Sequence, residues 1–594
     1  MGGFNRFLKR TVACLLAGVA IFGFSGCQKD AADIGSVDEF DYTTMNLVGK
    51  DALGREVDVV GFPRSEEVYV GIWYSFWEGQ HPSLQREILN IQQLLDEGRE
   101  DVILSTDVGQ FFYWGEPLYG YYNMQDPYVL TRHIELFVQA GLDFVCVDCT
   151  NQYDYLEVGE KFLTILRDFK NQGFKVPGVC FYTNTNSGTM VEKIYNDYYK
   201  SGKWDDLWFR PNGRPIIAGI TENNDMASDQ TKYHNSKDFV SQKYQNYFEV
   251  KESQWPNGEY NDNGMPWMSW EYPQKILGGY VAVPVAQHDH TYACFSTMAP
   301  ESSRGYNNMT KVREGDYREG LSFQQMWDSV IERKDQISTV FVCCWNEWIA
   351  QKHYDYGFFP DAYNWEYSRD VEMMKGGYGD NYYMQLVKNV RDFKYNEALA
   401  FDYPQNEIVL GGGEEQWEHT ATYKDYAGDA IVRDFPNCVD SFHYVDNSAR
   451  NDITEIKVTH DENNLYFRIQ TKDAVTEYNG TDENWMNILI STGEGGESFE
   501  NYNYLINRCP QNGKTAVEKS KGGYSWQKVG EADYTVEGNV MVVSIPLAAL
   551  GLRSDNCSFQ FKVADHVTEY RDIMDYYVSG DSAPLGRLNF AYGY

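Results

Sequence analysis

The chain has 594 residues, with 87 acidic against 51 basic ones and a formal net charge of −36. That length exceeds one ordinary domain, so two or three are expected; the charge, with no basic stripe to offset it, excludes nucleic acid, whose phosphates it would repel. Tyr (46), Phe (32) and Trp (15) can fill a large core and still leave aromatic faces for flat, partly apolar ligands, of which sugar rings are the commonest.

Residues 1–27 read as an export signal rather than as fold. Arg6, Lys9 and Arg10 precede the apolar run "TVACLLAGVAIFGF", which is short for a membrane span. "FSGC" then places small residues before Cys27, a pattern that resembles a bacterial lipobox with Phe24 where Leu is usual. Cleavage there leaves 48 basic against 87 acidic residues, a net charge of about −39. "QKDAAD" resembles the acidic surface-export signals of some Bacteroidetes lipoproteins. The expected location is the bacterial cell envelope, at the outer membrane or cell surface, with Cys27 as lipid attachment point and sole membrane contact. Residues 28–64 are expected to be a tether. Apart from Cys14 and Cys27, nine cysteines remain, an odd number scattered through strand-like runs, which does not read as a disulfide framework. Cys146 and Cys149 form a C-x-x-C, but strand positions of that spacing point to opposite faces, so buried structural thiols are expected.

From Val68 to Trp348 short apolar strands alternate with amphipathic helical stretches. The strand candidates are 68–76, 110–114, 144–148, 178–183, 215–220, 266–272, 281–286 and 339–348. Helical periodicity is clearest in "PYVLTRHIELFVQAG" and "EVGEKFLTILRDFKNQG", each closed by a glycine. Eight strands alternating with helices predict a (β/α)8 barrel of the TIM type over 65–400. A doubly wound sheet fits the alternation too, but "GIWYSFWEG" after the first strand has aromatics where a glycine-rich phosphate turn belongs. Residues 401–416, with their glycine run, read as a linker. Beyond them, short alternating runs separated by Asn, Asp and Gly predict an antiparallel β-sandwich over 417–594, folding as a separate unit.

Ligands of a (β/α)8 barrel sit at the C-terminal ends of the strands, so polar residues that end apolar runs are the candidates. Asp148 closes "FVCVD", Glu271 closes "PWMSWEY" and Glu347 closes "VFVCCWNEW". Alternation along that last run predicts Cys343, Trp345 and Glu347 on one face, Asn346 and Trp348 on the other. Desolvation by the tryptophans raises a carboxyl pKa, as a general acid needs, and glycoside cleavage uses two carboxyl groups. Each of these acids also has a structural reading, as a helix cap or an arginine's partner. Trp73, Tyr74, Trp114, Asn151, Trp270, His288, Trp345, Asn346 and Trp348 are the candidate sugar contacts. His288 and His290 have the H-x-H spacing of a metal pair but no third spaced ligand, so hydrogen bonding to substrate or core packing is the expected role.

"GYYNMQDPYVLTRHIELFVQAGLDFVCVDCTN" resembles the strand–helix–strand block of bacterial proteins related to glycoside hydrolase families 71 and 99, the endo-α-mannanase and α-1,3-glucanase type of barrel. "WNEW" resembles the glutamate strand of that group, and 362–394 resembles the segment that follows it. The resemblance covers most of 66–395; Asp148, Asn151 and Glu347 match its pattern, whereas Glu271 is inferred from its strand end alone. Family-99 enzymes carry a second carboxylate three residues after that glutamate; here the position is Ala350. The familiar pair therefore does not carry over whole. "YKDYAGDAIVRD", "NSARNDITEIKVTHDENNLYF" and "NWMNILI" resemble the sandwich of family 9 carbohydrate-binding modules, which nominates Trp417 and Trp485 for sugar stacking, although Trp485 lies in a strand and core packing is its favoured role. No cofactor is expected; calcium alone is compatible with the sandwich's many Asp and Asn residues, without a loop of recognised spacing. The function these expectations compose is an envelope glycoside hydrolase acting on an α-linked poly- or oligosaccharide, with Glu347 as acid and Asp148 or Glu271 as partner. The alternative is a glycan-binding lipoprotein with a degenerate barrel.

Overall fold

The computed structural model describes residues 46–593 except 82–86, 223–237, 255–260, 269–270, 289–293, 296, 355–358 and 398–404. The expected signal segment, Cys27, Trp270 and His290 lie outside the described residues. Eight parallel strands form the barrel: β1 (Tyr69–Tyr74), β2 (Phe144–Asp148), β3 (Gly178–Tyr182), β4 (Ile216–Gly219), β5 (Glu249–Gln254), β6 (Gly264–Pro266), β7 (Tyr280–Pro284) and β8 (Thr339–Cys343). Their order in the sheet is β7-β8-β1-β2-β3-β4-β5-β6, and β6 and β7 lie side by side without ladder hydrogen bonds, so the barrel is nearly closed. Two short helices, Ile91–Asp96 and Glu100–Ser105, lie between β1 and β2; the other helices are α1 (Pro127–Gln139), α2 (Leu156–Asn171), α3 (Ser187–Ile194), α4 (Gln242–Tyr247), α5 (Leu321–Ile331) and α6 (Asn381–Lys394).

Strands covered on both faces read as unbroken apolar runs, and the two faces separate cleanly. Val70, Ile72, Tyr74, Val145, Val147 and Val342 pack outward on the helices. Trp73, Phe144, Cys146, Tyr182, Phe341 and Cys343 fill the barrel interior. Gly71 has no side chain because Phe144 occupies that space: a Cβ there would lie 2.2 Å from its ring. α1 begins where Asp126 accepts a 3.0 Å hydrogen bond from the Tyr128 N–H ahead of Pro127, and it ends at Gly141, whose φ of +70° suits only glycine comfortably.

Two strand expectations are corrected. Phe111–Tyr113 leaves the barrel and pairs antiparallel with Ile349–Gln351. Its place in the count is taken by β5, "EVKESQ", whose polarity hid it and whose Glu252 accepts a 3.1 Å hydrogen bond from the Thr221 N–H. The sixth strand spans only Gly264–Pro266, so Glu271 does not end it.

Apart from the separate hairpin Arg433–Pro436/His443–Asp446 and the side strand Asp581–Ala583, the C-terminal strands run in one continuous antiparallel path that folds back on itself. Tyr423 near one end meets Phe561 and Phe590 near the other, with ring centroids 5.0 and 4.9 Å apart, and Phe467 lies 5.1 Å from Phe561. These contacts close the sandwich core. The tether expectation is also corrected in part: Leu47–Lys50 is a sandwich strand, Leu47 opposite Phe590, and Glu56–Val57 extends the same sheet. Arg55 then donates to the backbone oxygens of Glu319 and Asn381, at 2.9 Å each, so this segment fastens sandwich to barrel. Further contacts seal the seam. Phe169 stacks on Tyr426 at 3.5 Å, Arg433 pairs with Asp126 at 2.8 Å, and Arg587 pairs with Asp380 at 2.7 Å. No helix among the described residues is long and apolar enough to cross a membrane.

Candidate active site at the barrel mouth

The chain leaves β8 at Cys343, so the alternation expected through Glu347 is not kept. Residues 369–372 run alongside instead: the Cys344 N–H donates to Arg369 O at 3.0 Å, and the Glu372 N–H to Trp345 O at 3.1 Å. This pairing brings the Arg369 guanidinium onto Glu347, where Nη2 donates to Oε2. The Glu347 N–H donates to Asp370 Oδ1 at 2.7 Å, fixing the backbone that carries the carboxylate. Asp361 lies 3.6 Å from the same guanidinium and is 29% exposed, whereas Glu347 is 10% exposed.

Asp148 ends β2 partly exposed and accepts 2.8 Å hydrogen bonds from both the N–H and the hydroxyl of Thr150. Burial pushes its carboxyl up to about 6, against the Thr150 bonds, and the Glu347 charge pushes the same way. Burial raises Glu347 as well, and Arg369 holds it back. Asp361 is raised by burial, countered by Arg369 and reinforced by Asp148, and Asp370 is pushed up to about 7 by burial and by Glu347. Glu78, just beyond β1, is buried with neither carboxyl oxygen hydrogen-bonded, and burial lifts it well above the carboxylate range. The floor is aromatic: Trp73 lies 5.0 Å from Tyr182 and 5.5 Å from Trp267, and Arg369 sits 5.0 Å over the Trp267 ring and 5.5 Å from Phe295.

Of the residues nominated from sequence, Asp148, Glu347, Trp73 and His288 meet at this mouth; His288 packs 4.9 Å from Phe295. Asn151 is exposed on the turn after Asp148. Glu271 does not join them: it is 40% exposed and pairs with Lys275 at 3.5 Å. Four of the nominated contacts hold the strand end from behind. Trp114 stacks on Trp348 at 4.3 Å and donates its Nε1–H to Glu347 O at 3.0 Å. The Trp348 Nε1–H donates to Glu372. Trp345 packs on Phe137 of α1 at 4.8 Å, and Asn346 is buried, accepting from the Ser75 N–H at 2.9 Å. Tyr74 points outward and shares a 2.9 Å hydrogen bond with His133. In the sandwich, Trp417 and Trp485 are both core residues, 2% exposed.

Glu78, Trp267, Asp361, Arg369 and Asp370 escaped the sequence reading. They lie on loops with no periodicity, and only the "SRD" run at 368–370, an arginine beside an acid after the last barrel strand, offered a signal.

No protein-family model matches the chain, and no curated protein matches it. Among solved structures, an endo-α-mannosidase of glycoside hydrolase family 99 from Bacteroides thetaiotaomicron, in complex with bis-tris-propane, is 14% identical with a TM-score of 0.31, over 55% of this chain and 97% of that one. A second structure of the Bacteroides thetaiotaomicron enzyme is 15% identical over the same shares, again with a TM-score of 0.31. Overlays at that score do not align individual side chains, so roles in this site come from its own geometry.

Proposed function

We propose that the barrel mouth hydrolyses glycosidic bonds by two-carboxylate chemistry. The observation that carries this reading is that Glu347 and Asp361 share one guanidinium, Arg369, with Asp148 near enough for its charge to act on the group. One cation cannot offset three carboxylates in a partly desolvated cleft, so one of them holds its proton above the ordinary carboxylate range. Asp148, titrating at about 6 and partly exposed, is the proton donor to the leaving oxygen. Glu347, raised by burial but held back toward its charged form by the bonded Arg369, serves as base or nucleophile. This assignment exchanges the two roles expected from sequence, because the strand-end glutamate has an arginine partner that the sequence did not reveal. Trp73 and Trp267 form the buried aromatic floor beneath the carboxylates and keep water from their inner side. An α-linked glycan as substrate, and lipid anchoring through Cys27 at the cell surface, belong to the same proposal and rest on the sequence resemblances.

A second reading, glycan binding without cleavage, is favoured by Ala350, fully buried in the ribbon opposite Phe112, where the resembled family has its second carboxylate. Incubating the purified protein with a library of α- and β-linked oligosaccharides, with products read by mass spectrometry, separates the two. New reducing ends support hydrolysis; retention of glycans without products supports binding alone.

A further inference from the structure

The seam between barrel and sandwich holds a second acidic group, far more enclosed than the mouth. Glu135 of α1 meets Asp425 and Asp429, and Asp429 in turn meets Asp452 and Asp581, with one ligating oxygen from each member of a triad within 4.8 Å of the others. The buried cations nearby are Arg132, 3.4 Å from Glu135 and 3.3 Å from Asp429, and Lys562, whose ammonium donates to Pro584 O. Fully ionised, five carboxylates against two cations would leave three negative charges, of which the half-exposed Lys472, 3.5 Å from Asp452, removes at most one. The remainder is what a divalent ion supplies.

A cluster of acids alone would not make a site; the oxygens they leave unused point further. Asp429 and Asp581 are 0% exposed, and each keeps one carboxyl oxygen with no hydrogen-bond partner, as does Asp425 at 8% exposure. Buried polar atoms are rarely left so, and a solitary orphan is costly even when neutral. The other oxygens are committed in ways that fix the ligands: Asp581 accepts from the Ile453 N–H at 2.6 Å and Asp452 from the Gly428 N–H at 3.0 Å. Asp452 is only partly buried and leaves an approach from solvent.

We propose that Asp429, Asp452 and Asp581 hold one divalent cation of the calcium type, clamping three sandwich segments beside the barrel helix that carries Arg132. Glu135 and Asp425 are then balanced by Arg132 and Lys562. The donors are all carboxylate oxygens, which suit a hard cation, and no His or Cys takes part in either triad. Calcium accepts irregular carboxylate sets at roughly 2.3–2.6 Å, whereas magnesium demands a near-ideal octahedron at about 2.0–2.1 Å and gives up its waters reluctantly. The site lies away from the barrel mouth and does not depend on the hydrolase reading.

The test uses the full chain, stripped with a chelator and returned to calcium or magnesium chloride, with metal content and Tm read together. The expected result is about one calcium per chain and a Tm about 4 °C or more higher than in chelator, with a smaller shift for magnesium. In Asp429→Asn/Asp581→Asn the calcium shift should vanish while the stripped protein still unfolds cooperatively, since Asn keeps an oxygen for Arg132 and for the Ile453 N–H. Asp452→Asn, at the rim, should weaken calcium binding at least tenfold without that double change. Absence of bound calcium with an unchanged Tm, an undiminished calcium shift in the variants, or a magnesium shift equal to calcium's would overturn the proposal.

Discussion

The barrel mouth and the barrel–sandwich seam both press carboxylates together, and they relieve the repulsion differently. At the mouth Arg369 bonds Glu347 directly and approaches Asp361, while Asp148 and Asp361 keep a face to solvent. At the seam the acids are enclosed, and Asp429 and Asp581 each retain an oxygen with no partner. The same residue type therefore has two uses: where water and a substrate can reach it, crowding tunes a proton, and where they cannot, crowding calls for a counter-ion. Access, rather than charge count, separates the catalytic candidate from the structural one.

The severest way to break the comparison is to remove one side of the seam. A chain ending at Val409 loses the sandwich and uncovers Asp126, Phe169 and Asp380, whose partners are Arg433, Tyr426 and Arg587. It should be recovered as aggregate or show no cooperative thermal transition; a soluble barrel that unfolds cooperatively would show the seam to be dispensable. Arg369→Met comes next. It leaves Glu347 and Asp361 without their shared cation, and stability should fall by about 3–5 kcal/mol, read from denaturant midpoints.

Proton linkage sharpens the contrast at lower cost. Asp429 is pushed up to about 7 and Glu135 to about 8, each by burial first, against ordinary values of 3.8 and 4.5. The folded state therefore binds more protons than the unfolded one across that interval, and stability declines as pH rises from about 4 to about 8. Thermal scans of the chelated protein should show Tm falling over this range, and calcium should flatten the fall. A Tm that rises with pH in the chelated protein would contradict the burial of these acids. The smallest effect is expected at Glu271→Gln, a half-exposed partner of Lys275. Stability should change by less than about 0.5 kcal/mol and catalytic rate not at all.

The barrel was legible in sequence because its strands are covered on both faces and so appear as apolar runs, and α1 and α2 because their periodicity is closed by Gly141 and Gly173. β5 was not, since a strand whose end makes polar contacts loses the apolar signal. The sandwich strand Leu47–Lys50 was hidden for another reason: four residues pair with a partner more than 500 positions away, and no local pattern marks so distant a match. Asp148 and Glu347 could be named because strand ends can be counted. Arg369 and Asp361 could not, because irregular loops bring them to Glu347 and only the folded chain shows the meeting.

The central claim, that Asp148 donates a proton to a leaving sugar while Glu347 acts as base or nucleophile, is tested most directly by kinetics on a cleaved glycan. For wild type, kcat/KM should fall as pH rises through about 6, where Asp148 loses its proton. Asp148→Asn should remove that limb and lower kcat by ~10²–10⁴ on the natural linkage, with far less loss on a substrate whose activated leaving group needs no proton. Glu347→Gln should lower kcat to a similar extent, without recovery on the activated substrate at the step it serves. Full activity in Asp148→Asn, or a wild-type protein that binds glycans and cleaves none, would contradict the account.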